Sequence, residues 1–157
     1  MHQVVIDTAK RDDLAALLAL YKHLNPDDPP LTAEVGQAIW QRILEAPGTR
    51  VIVAKLDKLL VGSCTITVIP NLTRAGRSYA LIENVITHPD RRRQGIGRLV
   101  LDAAVQCAWD ANCYKVMLAT GSRRDETLRF YESAGFAKGT KTFFEAKPEQ
   151  AAGEGPR

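Results

Sequence analysis

The sequence predicts an α/β fold built on a mixed sheet. Helical spacing of apolar residues continues for about four turns between Ile96 and Ala111, the strongest periodic signal in the chain. Strand-like runs rich in valine and isoleucine occupy residues 3–7, 50–56, 59–69 and 78–87. Strands and long helices therefore share one chain, which is typical of an α/β domain.

Two helices are expected between the first and second strands. The first carries one apolar face, formed by Leu14, Leu17, Leu18 and Tyr21, and must end before the proline-rich loop at residues 25–30. The second begins after Thr32, a typical N-cap residue, and ends before Pro47. Its inward residues are predicted to be Val35, Ile39 and Ile43.

The middle of the chain predicts an antiparallel meander. A hairpin turn at residues 55–58 joins the strands 50–56 and 59–69, and a turn-rich loop at 70–76 leads into the strand 78–87. Towards the C-terminus we expect a buried strand at residues 115–119 and then a helix capped by Asp125 and ended by Gly135. A closing strand is expected at Phe143 and Phe144.

Length and composition suit one globular domain. With 157 residues, 45% of them apolar, residues 1–147 can enclose a core, whereas residues 148–157 lack apolar anchors and are expected to be disordered. No stretch is long enough to cross a bilayer and no leader segment is recognised. We therefore expect a cytoplasmic protein that does not bind membranes.

Cysteine and histidine usage does not predict a metal site. The three cysteines lack a paired spacing, and the three histidines are scattered along the chain without metal-ligand spacing. These residues are Cys64, Cys107, Cys113, His2, His23 and His88. The cysteines are expected to be buried thiols, and the histidines surface or packing residues.

The junction between the strand 78–87 and the long helix is the predicted functional centre. Its sequence from Arg92 to Gly97 is Arg-Arg-Gln-Gly-Ile-Gly. The first amides of a helix lack intrahelical acceptors, and the helix dipole adds partial positive charge, so this turn predicts a phosphate-binding loop. A dinucleotide fingerprint would need a third glycine and a P-loop would need a lysine, and neither follows Gly97.

Two ordered motifs resemble those of the GCN5-related N-acetyltransferase (GNAT) superfamily. Arg92-x-x-Gly95-x-Gly97 is similar to the loop that binds the acetyl-CoA diphosphate, and Phe130-Tyr131-x-x-x-Gly135-Phe136 is similar to the late helix of the family. The resemblance runs from about Val4 to Glu145. It implies a mostly antiparallel central sheet, splayed between strands 4 and 5, with helices on both faces.

The resemblance implies acetyl-CoA as the co-substrate. The pantetheine arm would bind fourth-strand backbone, and the diphosphate would lie on the loop. The cofactor-binding residues implied are Val85, Ile86, Thr87, Arg92, Arg93, Gln94, Gly95, Ile96, Gly97 and Arg98. One departure is that many relatives carry an asparagine early in the last helix, where this chain has residues 123–127, Arg-Arg-Asp-Glu-Thr.

The implied reaction is attack of a neutral primary amine on the acetyl thioester. The family match makes Tyr131 the general acid for the departing sulfur, whereas the residues alone also allow a core tyrosine packed beside Phe130. Glu83, a carboxylate within an apolar strand, is the candidate base and should share a face with Leu81 and Val85. Pairing of Glu83 with Arg77, or a relayed water, remains the alternative.

The acceptor is predicted to be a small-molecule amine. The run Leu81-Ile-Glu-Asn-Val-Ile86 resembles the matching strand of glucosamine-phosphate acetyltransferases, with Asn84 in place of one acid. Asn25, Asp28 and Asn84 are therefore candidate acceptor residues, although aspartate beside proline is also ordinary turn chemistry. The family resemblance also allows a homodimer.

Three other functions compete with this prediction. The acceptor could be a peptide N-terminus or lysine, or the chain could be a regulatory module that binds CoA without transfer. Nucleic-acid binding is disfavoured because the arginine-rich stretch 91–98 contains no aromatic residue for base stacking.

Overall fold

A computed structural model describes residues 3–148, which form two compact units. The first unit ends at Thr120 and the second begins at Gly121. Of the predicted tail, residues 149–157 lie outside the described residues. Among the described helices, none combines the length and apolar character needed to cross a bilayer.

The first unit holds the sheet and four helices. Its strands are β1 Val4–Thr8, β2 Thr49–Leu56, β3 Leu59–Ile69, β4 Tyr79–Thr87 and β5 Val116–Leu118. Its helices are α1 Leu14–Tyr21, α2 Ala33–Glu45, the short α3 Thr73–Gly76 and α4 Ile96–Asp110. Short 3₁₀ turns, Arg11–Asp13 and Pro89–Arg91, precede α1 and α4.

The strands lie in the sheet in chain order, from β1 to β5. The predicted meander is confirmed and includes β1, because the first four strands pair antiparallel with their neighbours. Only β5 is parallel, to β4. The β2–β3 turn places Asp57 and Lys58 at φ values of 49° and 68°, the backbone twist that two-residue hairpins favour.

Helices cover both faces of the sheet, as the family resemblance implied. On one face Val51 and Val53 of β2 pack in a core with Leu17 of α1 and Trp40 of α2. On the other face Gly62 of β3 lies against α4, so closely that a Cβ there would be 2.9 Å from Cγ2 of Ile96. This contact seats the first turn of α4 directly on the sheet.

The buried face of α2 differs from the prediction. Thr32 caps the helix as expected, accepting a hydrogen bond from the Val35 amide at 3.3 Å. Val35 and Ile39, however, are largely exposed, whereas Gly36 and Trp40 are buried. The indole of Trp40 has more area to bury and its N–H donates to the Arg11 carbonyl at 3.1 Å, so this residue decides the rotation of the helix.

The three cysteines are free thiols. Cys64 and Cys113 are buried as predicted, whereas Cys107 is only half-buried. Burial raises the pKa of the Cys64 thiol to about 12, so this residue is a neutral packing group at physiological pH.

The second unit contains α5, Asp125–Ser133. Gly135 ends the helix as predicted, with a left-handed φ of 93°. The Gly135 amide donates to the Glu132 carbonyl at 3.0 Å, and the Phe136 amide donates to the Tyr131 carbonyl at 3.1 Å. Arg124, and not Asp125, is the N-cap residue. Asp125 lies in the first turn, where its charge complements the helix dipole.

The predicted closing strand at Phe143 and Phe144 is wrong. Between Ala134 and Pro148 the structure contains no strand, and the two side chains are 71% and 87% exposed. Adjacent residues of a strand point to opposite faces, so two neighbouring phenylalanines do not make one buried face. High strand propensity does not form a strand without a partner strand to pair with.

Candidate functional site

A β-bulge interrupts β4 at the predicted functional strand. Glu83 lies opposite Thr65 and Ile86 lies opposite Ser63, so β4 holds two residues where β3 holds only Cys64. Asn84 takes the left-handed conformation at φ 53°, which asparagine tolerates better than most residues. Such a bulge bends the strand and redirects the backbone groups around it.

The bulge changes which side chains share a face with Glu83. The cross-strand partners of Leu81, Glu83 and Ile86 are all odd-numbered residues of β3, so these three side chains lie on one face. The prediction that Val85 shares the face of Glu83 is therefore wrong. The simple two-residue alternation fails because the bulge inserts one residue after Glu83.

The edge of β4 opens beyond the bulge. The β4–β5 ladder ends at the pair Ile82 and Leu118, whereas β4 continues to Thr87. This end of the pairing agrees with the splay that the family resemblance implied. The residues predicted to bind pantetheine all lie on the part of β4 that is not paired with β5; they are Val85, Ile86 and Thr87.

The turn from β4 into α4 is held by local backbone geometry. Nδ1 of His88 accepts the Asp90 amide at 3.3 Å and starts the 3₁₀ turn that follows β4. Arg93 and Gly95 are then left-handed, at φ 59° and 79°. The chain therefore reverses sharply before α4 begins at Ile96.

This turn exposes a row of backbone donors. Within residues 3–148, the amides of residues 93–97 donate to no backbone carbonyl, whereas the Leu99 amide donates to the Gly95 carbonyl at 3.1 Å. A Cβ on Gly95 would have no neighbouring atom within 4 Å, so the space beside the loop is open. Open amides at a helix N-terminus are suited to an anion.

The loop side chains add positive charge to different degrees. Arg92 and Arg93 are exposed. Arg98 instead forms an ion pair along α4, with its Nε 2.7 Å from Oδ1 of Asp102. Gln94 reaches back to the Asp90 carbonyl at 3.5 Å. The backbone and the first two arginines are therefore the stronger anion-binding groups.

A row of hydroxyl groups lies on the face of Glu83. Thr65 is its cross-strand partner, and the phenol of Tyr21 faces the hydroxyls of Thr65 and Ser63. Burial raises the pKa of Tyr21, so its hydroxyl stays protonated at neutral pH. The sequence analysis missed these residues, although the alternation of Ser63, Thr65 and Thr67 in β3 places three hydroxyls on one face.

Arg77 is not the partner of Glu83. Its guanidinium donates to the carbonyls of Asn112 and Cys113 at 3.4 and 3.0 Å. Glu83 is exposed, and within the described part of the chain it forms no ion pair. The alternative of a Glu83–Arg77 pair is wrong, because the loop that carries Arg77 turns its side chain towards the segment before β5.

The predicted acceptor residues fall into two groups. Asn25 and Asp28 share one exposed turn after α1, where the Asp28 amide donates to the Asn25 carbonyl at 3.2 Å. Asn84 lies at the bulge, where an asparagine is also favoured by the left-handed backbone conformation alone. His23, beside the first group, contacts His88 at a ring-centroid distance of 4.7 Å, so these two histidines are paired and not scattered.

Tyr131 belongs to the second unit. It is half-buried on α5, with its ring 5.1 Å from that of Phe130 and 6.5 Å from that of Phe136. The motif Phe-Tyr-x-x-x-Gly-Phe therefore has a local structural basis: the glycine ends the helix and the aromatic residues pack around its last turn.

The family model of the GNAT acetyltransferases matches residues 17–136, which include the open strand edge, the loop and α5. The chain belongs to this family. It is an acetyl-CoA-dependent N-acetyltransferase, since acetyl-CoA is the co-substrate that GNAT acetyltransferases use.

Two relatives match most of the length of this acetyltransferase. A glucosamine 6-phosphate N-acetyltransferase of Trypanosoma brucei brucei is 29% identical over 127 residues, which are 81% of this chain and 84% of that protein. A solved structure from Agrobacterium tumefaciens, provisionally named an acetyltransferase, is 44% identical with a TM-score of 0.88, covering 92% of this chain and 99% of that one.

A second solved structure is an aminoglycoside N-acetyltransferase in complex with CoA. It is 17% identical with a TM-score of 0.79, over 94% of this chain and 96% of that chain. At this identity the likeness shows that the fold is shared, and no more.

Substituting Gly95 with valine tests the loop. A valine at this position would have to adopt a left-handed backbone conformation, and its side chain would fill the open space beside the amides. We expect the Kd for CoA, measured by calorimetry, to rise by about tenfold or more. Gly76→Val is the matched control, because Gly76 has φ 74° and equally open surroundings outside the loop. Equal CoA affinity in the two variants would refute the assignment of the loop.

Proposed function

We propose that this acetyltransferase transfers the acetyl group of acetyl-CoA to the primary amine of a small molecule, with glucosamine 6-phosphate as the first candidate. The observation that carries the proposal is the strand edge of β4, which passes from a bulge beside Glu83 directly into the open amides of residues 93–97. The name of the trypanosomal relative supports the choice of acceptor.

The cofactor would lie along this edge. The diphosphate would accept hydrogen bonds from the amides of the loop, with Arg92 and Arg93 adding charge and with Arg98 limited by Asp102. The amide groups of pantetheine would bond to β4 backbone at Val85–Thr87, where the strand has no ladder partner on the β5 side. Backbone binding of this kind tolerates substitution of most side chains.

The thioester would then lie at the bulge. Attack of the amine converts the thioester carbonyl into a tetrahedral oxyanion, and a backbone N–H aimed at that oxygen lowers the barrier. We propose the amide of Val85 or Ile86 for this role, because the bulge turns the strand at these residues. Collapse of the intermediate forms the C–N bond, breaks the C–S bond and releases the CoA thiolate.

Glu83 is proposed as the base that takes the proton from the substrate ammonium. It lies on the exposed part of β4, opposite Thr65, and the hydroxyl of Thr65 also faces the phenol of Tyr21. These neutral hydroxyls can hydrogen-bond a polar acceptor without competing for the proton. Asn84, Asn25 and Asp28 are proposed to contact the rest of the acceptor.

Tyr131 is proposed as the acid that protonates the departing thiolate. The proposal depends on its place in the motif Phe130-Tyr131-x-x-x-Gly135-Phe136. Its ring is held between those of Phe130 and Phe136, which limits its motion on α5. A phenol fixed in this way can donate a proton with little entropy cost.

An acceptor panel tests the proposed function. Thiol release from acetyl-CoA should be fastest with glucosamine 6-phosphate or another small amine, and slow with peptides that offer an N-terminus or a lysine. Glucosamine without the phosphate is the matched control for recognition of the anionic group. Faster release with peptides would overturn the small-molecule proposal, and no release with any amine would overturn transfer itself.

Glu83→Gln should slow transfer at saturating acceptor by about 10²-fold or more while the Kd for CoA stays the same. The remaining rate should rise with pH, because the solvent must then supply the neutral amine. Glu34→Gln, an exposed carboxylate in the first turn of α2, serves as the control. Unchanged kcat would remove Glu83 from the mechanism and favour a relayed water.

Tyr131→Phe should lower kcat by about 10²-fold without weakening CoA binding, because the variant lacks the phenol that is proposed to protonate the leaving thiolate. The ring contacts with Phe130 and Phe136 on α5 remain, and thermal unfolding checks that the variant is folded. Tyr114→Phe is the control for loss of a phenol elsewhere. A normal kcat in the Tyr131 variant would support the alternative of a packing tyrosine.

A further inference from the structure

Two histidines that are distant in sequence form one contact. His23 follows α1 and His88 follows β4, and their rings meet edge to face with centroids 4.7 Å apart and planes at 67°. We propose that this ring pair couples the acceptor loop, residues 22–32, to the cofactor loop, residues 88–98. His23 and His88 would then be positioning residues, an inference that rests on the proposed function of the two loops.

Two hydrogen bonds fix His88, one to β3 and one to the start of the cofactor loop. Its amide donates to the Val61 carbonyl at 2.8 Å, and its Nδ1 accepts the Asp90 amide at 3.3 Å. Because Nδ1 is an acceptor, the proton of the neutral ring is on Nε2. The ring therefore cannot move without disturbing the turn that leads to Arg93 and Gly95.

The backbone of His23 is tied to the end of α1. Its amide donates to the Leu20 carbonyl at 3.0 Å, and the next amides, of Leu24 and Asn25, both donate to the Tyr21 carbonyl. A further turn follows, in which the Asp28 amide donates to the Asn25 carbonyl. The His23 ring is therefore carried by the run of turns that leads to both predicted acceptor residues in the loop.

The ring contact joins the turn after α1 to the end of β4. Deeper in the first unit α1 is already held, since Leu17 is in the core and Tyr21 faces Ser63 and Thr65. Beyond Tyr21 the acceptor loop is mostly exposed, and the ring contact joins it to the strand end that enters the cofactor loop. Edge-to-face aromatic pairs are attractive beyond their buried area.

Coupling of this kind is reciprocal. If the ring pair aligns the two loops, a change on the acceptor side alters CoA affinity, and a change on the cofactor side alters acceptor affinity by a similar factor. A residue that only stabilised α1 would not produce this effect in a folded protein.

A double-mutant cycle tests the proposal. The variants are His23→Ala, His88→Ala and the double substitution, and the readouts are the Kd of CoA by calorimetry, KM and kcat. We expect His23→Ala to raise the Kd of CoA by about three- to tenfold with kcat nearly unchanged. The double variant should be no worse than the poorer single variant, because both changes remove one interaction.

Conservative variants separate the ring contact from the backbone bond. His23→Phe keeps a ring and should restore the Kd of CoA. His88→Asn keeps an acceptor for the Asp90 amide but loses the ring, so its Kd should resemble that of His23→Ala. Val5→Ala, at an exposed site on the edge strand β1, is the control for unrelated substitutions, and thermal unfolding confirms that each variant is folded.

Three results would overturn the coupling: an unchanged Kd of CoA in His23→Ala, additive effects in the double variant, or failure of His23→Phe to restore binding. The Gly95→Val variant separates this failure from that of the proposed function. If Gly95→Val weakens CoA while His23→Ala does not, only the coupling is wrong. If folded wild type takes up no CoA, the proposed function and this inference both fail.

Discussion

The extra residue that β4 carries opposite Cys64 is the constraint on which the site depends. Before it, β4 pairs on both sides, with β3 and with β5. After it, β4 retains β3 alone and leads into the loop that precedes α4. The bulge therefore divides one strand into a part that builds the sheet and a part whose backbone can bind a ligand, and it places Ile86 instead of Val85 on the face of Glu83.

Packing on the opposite face keeps this arrangement in place. Gly62 lets the first turn of α4 approach β3 so closely that a single added carbon would contact Ile96. Because β3 also pairs with β4, this contact fixes the N-terminal amides of α4 relative to the end of β4. A diphosphate site made of backbone groups already in position would lose little entropy on binding, so the proposed cofactor loop does not require specific side chains.

The proposed acceptor side consists of side chains and turns. Hydroxyls of Tyr21, Ser63 and Thr65 line the face of Glu83, and a histidine pair joins the turn after α1 to the end of β4. Neutral hydroxyls suit a polar, uncharged part of a substrate, and the loop beyond His23 is exposed. In the proposed site, recognition of the amine therefore depends on side chains, whereas binding of the cofactor depends mainly on backbone.

Local patterns in the sequence were enough for the order and type of nearly all elements, for the Thr32 cap and for the loop around Gly95, because capping, turn chemistry and periodicity act between residues close in the chain. Contacts between distant residues decided the rest. The bulge depends on the register with β3, and the rotation of α2 depends on the hydrogen bond from Trp40 to Arg11. The contact of His23 with His88 requires the C-terminal ends of α1 and β4 to lie close together. Phe143 and Phe144 show the same limit, since propensity without a partner strand formed no strand.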